Sequence, residues 1–267
     1  MNKKLWAVII IIVLGIIILA KFSKSPTTPN PTTPTAAQSG ASPAPASIVT
    51  DISSIATSVF DAIGKGTASS LPKPISGSVL TSNGKPEVFY EGAEYCPYCA
   101  TERWAMAVAL ARFGTFTNLK VTHSSTTDVY PNTQTLSFYD SSYTSPYIAF
   151  VPVEIYTNIP ADGGYTTLQT PTAQESNILS AHDPSDGIPF IDFGGKYVVS
   201  GVTYDPALLQ GKTAEQIAAS LSSPNNTIAQ GADGAANTLT AAICKMTNNQ
   251  PSTVCDATIQ GIEKSLN

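Results

Sequence analysis

Cys96-Pro97-Tyr98-Cys99 constrains this chain more than any other stretch. A short strand-like run, Pro86-Glu87-Val88-Phe89-Tyr90, leads towards it. A helix-patterned stretch follows from Cys99 to Phe113, with one stripe on Trp104, Val108 and Ala111 and another on Met106, Leu110 and Phe113. Gly114 is a natural helix stop, and Leu119-Lys120-Val121-Thr122 reads as the next strand. The local order is therefore strand, thiols, helix, strand, which is a βαβ context. In that setting the thiols stand at a helix N-terminus, where unpaired N–H groups and the helix dipole favour a thiolate. Exchange of disulfides needs a nucleophilic thiolate and a resolving thiol close by. Cys96 takes the first role and Cys99, inside the first turn, the second. Pro97 fits a first-turn position, where its missing N–H costs nothing.

Two other readings compete for a CxxC: half of a zinc site, or a structural disulfide. Zinc needs two further ligands, and the chain offers only His123, His182 and the distant Cys244 and Cys255. A loop as short as Cys96–Cys99 gains little from permanent cross-linking. No metal and no cofactor is expected. His123, at the end of the strand after the helix, is a candidate thiolate neighbour beside its plainer reading as a polar loop residue.

The N-terminus points outside the cytoplasm. Lys3 and Lys4 precede an unbroken apolar run from Leu5 to Ala20, closed by Lys21. The run is short for a membrane span and long for a signal-peptide core, and no clean cleavage site follows. Residues 1–23 are read as a retained single-pass anchor, with the bulk of the chain extracytoplasmic by the positive-inside rule. Residues 24–47, rich in Pro, Thr, Ser and Ala, read as an extended stalk. Residues 48–70 hold an amphipathic helix with Ile48, Ile52, Ile55, Val59 and Ile63 at helical spacing. Residues 71–267 form the main domain. Four cysteines suit an oxidising compartment, and proximity favours Cys244–Cys255 as a structural disulfide between the last two helices, with an electron-relaying second redox pair as the alternative.

The chain carries a net charge of −5, and its charged fraction of 12% is about half the usual share. No basic patch exists for nucleic acid. A weakly charged polar surface depends little on ionised carboxylates, which hints at an acidic exterior. Asn225-Asn226-Thr227 is a glycosylation sequon on Asn225.

These residues resemble the thioredoxin superfamily. Ala93-Glu94-Tyr95-Cys96 is similar to the run entering the thioredoxin site, and Pro-Tyr between the cysteines is the glutaredoxin dipeptide. Ile188-Pro189-Phe190, ahead of Gly194-Gly195 and the run Lys196 to Gly201, resembles the family's cis-proline hairpin. The resemblance implies an α/β, thioredoxin-like fold, with Ile188 and Pro189 docking the substrate backbone. More narrowly, YCPYCATERWAMAVALARFGTF, SSTTDVYPNT and YTSPYIAFVPVEIYTN are similar to an archaeal and bacterial domain-of-unknown-function family, number 929.

Two departures stand out. Residues 124–186 form a long Tyr-rich insertion between the first βαβ unit and the proline hairpin, with one strand-like run from Tyr147 to Tyr156 and a short helix near Thr172–Ser180. The buried Asp that thioredoxins place six residues before the first Cys is Tyr90 here, so Glu91 or Glu94 is the candidate proton shuttle, set against a reading of both as solvated loop carboxylates. Tyr130, Tyr139, Tyr143 and Tyr147 are candidates for a client groove or for packing of the insertion. The expected activity is disulfide exchange on exported, cysteine-containing clients, with a membrane redox partner. The alternative is a non-catalytic surface binding or adhesion module whose cysteine pairs are both structural.

Overall fold

The computed structural model describes residues 39–266. The anchor expected on residues 1–23 and the first part of the stalk lie outside them. Among the described residues no single helix is long and apolar enough to cross a membrane.

The described chain begins with a two-residue strand, β1 (Ser42–Pro43), and two short helices, α1 (Ala46–Ser53) and α2 (Thr57–Ile63). Short strands β2 (Lys73–Pro74) and β3 (Thr81–Ser82) precede the long strand β4 (Lys85–Gly92), and the helix α3 (Pro97–Ala111) follows. Next come β5 (Thr115–Thr117), β6 (Lys120–His123), β7 (Gln134–Ser137), β8 (Ser142–Thr144), β9 (Ala149–Glu154), β10 (Tyr156–Ala161) and β11 (Gly164–Thr167). Helix α4 (Ala173–His182) leads to the hairpin of β12 (Phe190–Phe193) and β13 (Tyr197–Ser200), and helices α5 (Ala214–Ser220), α6 (Thr227–Met246) and α7 (Ala257–Glu263) close the chain. The architecture is mixed α/β.

The main sheet runs β2-β13-β12-β4-β3, with β9 also on β4. β12 is antiparallel to β4, with Ile191 opposite Tyr90, whereas β9 is parallel to it, with Val151 opposite Phe89. Because side chains alternate along a strand, β4 sends Val88 and Tyr90 to one face and Phe89 to the other. The first face packs with Ile191, Phe193, Trp104 and the alanines of α6, and the second with Phe190, Val153, Val198 and Leu179 of α4. Helix α3 is buried on all sides from Cys99 to Leu110, the mark of a central helix. It packs along α6, whose alanines share one core with its own. The β12–β13 turn runs through Gly194 and Gly195 at φ 66° and 70°, where a side chain is disfavoured, and a Cβ on Gly195 would strike the Ser78 carbonyl.

Three expectations are corrected. The strand at 119–122 is not the parallel partner of β4; as β6 it pairs with β1 and β7 in a separate antiparallel sheet. The parallel partner is β9, inside the supposed insertion. Its run, Ala149-Phe150-Val151-Pro152-Val153, packs apolar groups on both faces, as a strand between two layers requires. Second, the stalk ends earlier than residue 47. Ser42 and Pro43 pair with Val121 and Lys120, and the Ser39 hydroxyl donates to Glu94 at 2.6 Å. Third, the helix expected over residues 48–70 is two helices bent by 65°. The bend lets Ile48, Ile52 and Phe60 all reach the main core. Asn237 of α6 then caps α2, its amide donating to the carbonyls of Phe60 (3.0 Å) and Gly64 (2.7 Å).

The hairpin at Gly194-Gly195 stands where the sequence pattern puts it, while α6 begins at Thr227, well ahead of the apolar stretch near Ala235 to Lys245. Cys244 and Cys255 are bonded, joining the end of α6 to the segment before α7.

Candidate functional site

Cys96 is the N-cap of α3 and Pro97 occupies the first turn. The Cys96 sulfur accepts the Cys99 main-chain N–H at 3.2 Å, which satisfies one of the four donors a helix start leaves free. Both thiols are reduced. Cys99 is fully enclosed, while Cys96 keeps 5% of its surface. Tyr98, between them, is exposed and meets Tyr130 edge-on at 5.9 Å. The Cys96 sulfur lies 3.9 Å from the Ile188 carbonyl oxygen, and the Ile188–Pro189 peptide is cis. The β12 hairpin and the start of α3, about ninety residues apart in the chain by the numbering of Cys99 and Pro189, thus meet at Cys96.

The two sulfurs differ electrostatically. A hydrogen bond from the Cys99 thiol does most to hold the Cys96 thiol below its ordinary value. Burial opposes it, and the Cys99 N–H, the Arg103 guanidinium and the Tyr98 N–H add to it. Burial pushes the Cys99 thiol well up, and the neighbouring Cys96 pushes it further. One sulfur is set for the thiolate and the other for the thiol, the division that exchange requires.

Beneath the thiols lies a buried charged layer that the pattern reading missed. Arg103 forms a two-pronged bond to Glu154 at the end of β9, Nε to Oε1 at 2.8 Å and Nη2 to Oε2 at 2.7 Å, with both side chains fully enclosed. Glu154 also accepts the Phe138 N–H at 3.3 Å. Burial pushes the Glu154 carboxyl up and Arg103 counters it. Tyr90 points into the same layer. Its ring folds over Gly92, where any Cβ would strike the phenol oxygen, and that hydroxyl has no partner. Burial raises its pKa far above the usual value, so it stays a neutral phenol. The available signal was composition: Glu102-Arg103 is a charged pair in an otherwise apolar helix of a chain poor in charge.

Glu91 and Glu94 are both buried, which overturns their reading as solvated loop carboxylates. Glu94 accepts hydroxyls from Ser39 and from Ser137 (2.7 Å), and its charge acts on Glu154 within the layer under the thiols. Glu91 is opposite Phe190 on the reverse face of the sheet, away from α3. Burial first, then the carboxylates of Asp186 and Glu175, push it to about 7. Its place on the reverse face removes it as a shuttle for these thiols.

His123 closes strand β6 opposite Gln134, bonds to the Ser124 carbonyl and lies by Asn158, rather than in a loop. Of the four tyrosines proposed for a client groove, Tyr130 stands beside the dithiol. Tyr143 instead packs on Phe116 and donates to the Leu110 carbonyl at 2.8 Å, Tyr147 packs on the main core, and Tyr139 lies under Lys120. The wall next to Cys96 comes from three others. Tyr95 stacks on Tyr165 at 4.2 Å and meets Tyr156 at 6.2 Å. With Asp162, Gly163 and Gly164 they line an open cleft of about 390 Å³. Asn225 is exposed in the turn before α6. No group of three or more metal-ligating side chains occurs among the described residues.

A family model described as a domain of unknown function (DUF929) matches residues 73–161 and 165–245, more than half of the chain and both halves of this site. No curated protein and no solved structure matches it.

Proposed function

The chain belongs to the domain-of-unknown-function family DUF929, and from the geometry of its dithiol we propose that it is a thiol–disulfide oxidoreductase of thioredoxin-like architecture. On this reading it is anchored in the membrane by residues 1–23, faces outward and acts on exported proteins that carry cysteines. The observation that carries the reading is the asymmetric pair at the start of α3. Cys96 accepts the Cys99 N–H and has a lowered pKa, while Cys99 is enclosed and raised.

The Cys96 thiolate attacks one sulfur of a client disulfide; the second client sulfur leaves as a thiolate and takes a proton. Cys99 then attacks the Cys96 sulfur of the mixed disulfide, closes the ring and frees the first client sulfur. Two electrons pass from the pair to the client, and the reverse sequence oxidises a client dithiol. Cys99 must give up its proton to attack. Glu94 is the better candidate to receive it, since it belongs to the layer beneath the thiols and one of its oxygens is unpartnered. The half-buried Ile188 main chain beside Cys96 is where the thioredoxin resemblance would dock a client's backbone, with Pro189 buried behind it.

Insulin reduction and refolding of scrambled ribonuclease test the reading. The wild-type protein is expected to catalyse at least one, and Cys96→Ser neither. A wild type inactive in both assays overturns the enzyme reading in favour of a binding module with structural cysteines.

A further inference from the structure

Arg103 is an unusual neighbour for a dithiol. Positions 96, 99 and 103 fall on one face of α3, since residues three and four apart on a helix are adjacent. The cation therefore stands one turn below Cys99, on the thiol side. Glu154 grips it through two of its three nitrogens, and the third, Nη1, is buried with no hydrogen-bond partner. The anchor comes from β9, paired along its whole length with β4, and both side chains are fully enclosed, so the guanidinium is held by the fold and kept from solvent. A cation shielded from water acts over several ångströms with far less screening than one at the surface. The other ionisable groups around the thiols are Tyr90 from β4, a neutral phenol, Glu94 and Tyr95 from the loop before Cys96, and Glu154 itself.

We propose that Arg103, clamped by Glu154, is a positioning residue of the dithiol: a fixed internal cation that stabilises the reduced pair and makes the Cys96–Cys99 disulfide a stronger oxidant of client dithiols. This rests on the exchange reading above and adds a direction to it. In the step favoured, a client thiolate attacks the Cys96 sulfur and breaks the Cys96–Cys99 bond, and the second client thiolate then displaces Cys96. The client loses two electrons and two protons. The pair gains the two electrons, Cys99 takes up one of the protons as it leaves, and the other goes to solvent because Cys96 leaves as a thiolate beside the cation. Stabilising that product raises the reduction potential.

The test is the equilibrium of the full-length protein with reduced and oxidised glutathione, together with the pH profile of Cys96 alkylation by iodoacetamide. Arg103→Met with Glu154→Leu replaces the pair by apolar groups of similar size, a change that buried ion pairs tolerate. It is expected to make the couple about tenfold more reducing, which is about 30 mV for two electrons, and to move the alkylation midpoint to higher pH. Glu154→Gln keeps the cation and removes its counter-charge, so both readouts are expected to move the opposite way. Arg103→Lys, which keeps the charge, is expected to retain the wild-type alkylation profile. A folded double variant or Glu154→Gln with the wild-type equilibrium and profile overturns the proposal. A wild type whose dithiol does not equilibrate with glutathione overturns the exchange reading itself, so the two failures are distinguishable.

Discussion

Cys96 and Cys99 stand at the start of one helix; Cys244 and Cys255 stand at the end of another and in the loop beyond it. Both pairs are local in sequence and both are buried. They differ in what surrounds the sulfur. At Cys96 a main-chain N–H points at it, a carbonyl edge lies alongside, and a charged layer sits beneath. Around Cys244 and Cys255 the neighbours are core side chains such as Ile243, Met246 and Ile259. Polar donors and a cation favour a thiolate, whereas an apolar shell offers it nothing, so on the exchange reading only the first pair has surroundings suited to a nucleophile.

The largest expected effect separates the two pairs outright. Cys96→Ser is expected to abolish exchange while leaving the thermal midpoint within a few degrees. Cys244→Ala with Cys255→Ala is expected to keep exchange near the wild-type rate, yet lower stability by about 3 kcal/mol, the chain-entropy value for a loop of this size, read from urea unfolding. A double variant that loses exchange while still folded would make the second pair part of the redox path and break the comparison.

A second effect comes from buried carboxyls away from both pairs. Asp233 is enclosed on α6 with neither oxygen bonded, and burial pushes it to about 8 despite Arg112 nearby. Burial likewise lifts Glu102, on α3 and bonded to Thr203, to about 7. The folded state therefore holds protons that the unfolded chain releases above about pH 4. That contribution is complete below the unfolded pKa and is lost as pH rises through about 7 to 8. Stability is expected to be greater at pH 5 than at pH 8.5 by a few kcal/mol, measured by urea unfolding of Cys96→Ser/Cys99→Ser so that the thiols do not titrate. Asp233→Asn is expected to narrow that gap, mostly by gain at pH 8.5. A flat profile in the parent would contradict the burial of these groups.

The smallest effect sharpens what the first pair recognises. Tyr165→Ala removes the ring stacked on Tyr95. It is expected to raise KM for a protein client several-fold and to leave the reaction with a small aromatic disulfide unchanged. Equal losses on both would move the tyrosine wall from client recognition to support of the Cys96 loop.

What could be read ahead of the structure was local. The helix start at Cys96, the glycine turn at Gly194-Gly195 and the pairing of Cys244 with Cys255 depend on residues close in the chain. What escaped was pairing at long range. β9 lies within the strand-like run Tyr147 to Tyr156, but nothing near it says that it lies parallel to β4. Arg103 and Glu154 are 51 residues apart, so their bond has no local signature beyond two charges in apolar runs. Glu94 looked like a loop carboxylate because Ser39 and Ser137, which enclose it, come from 55 and 43 residues away.

On the exchange reading, Cys96 and Cys99 are a working redox couple. Its most direct test is their reduction potential, measured on the full-length protein in glutathione buffers by trapping the free thiols and mapping the peptides. The expected value lies between about −120 and −270 mV, within the span of known exchange catalysts, with Cys244–Cys255 still bonded throughout. A Cys96–Cys99 couple below about −300 mV, in the range of structural disulfides, would contradict it.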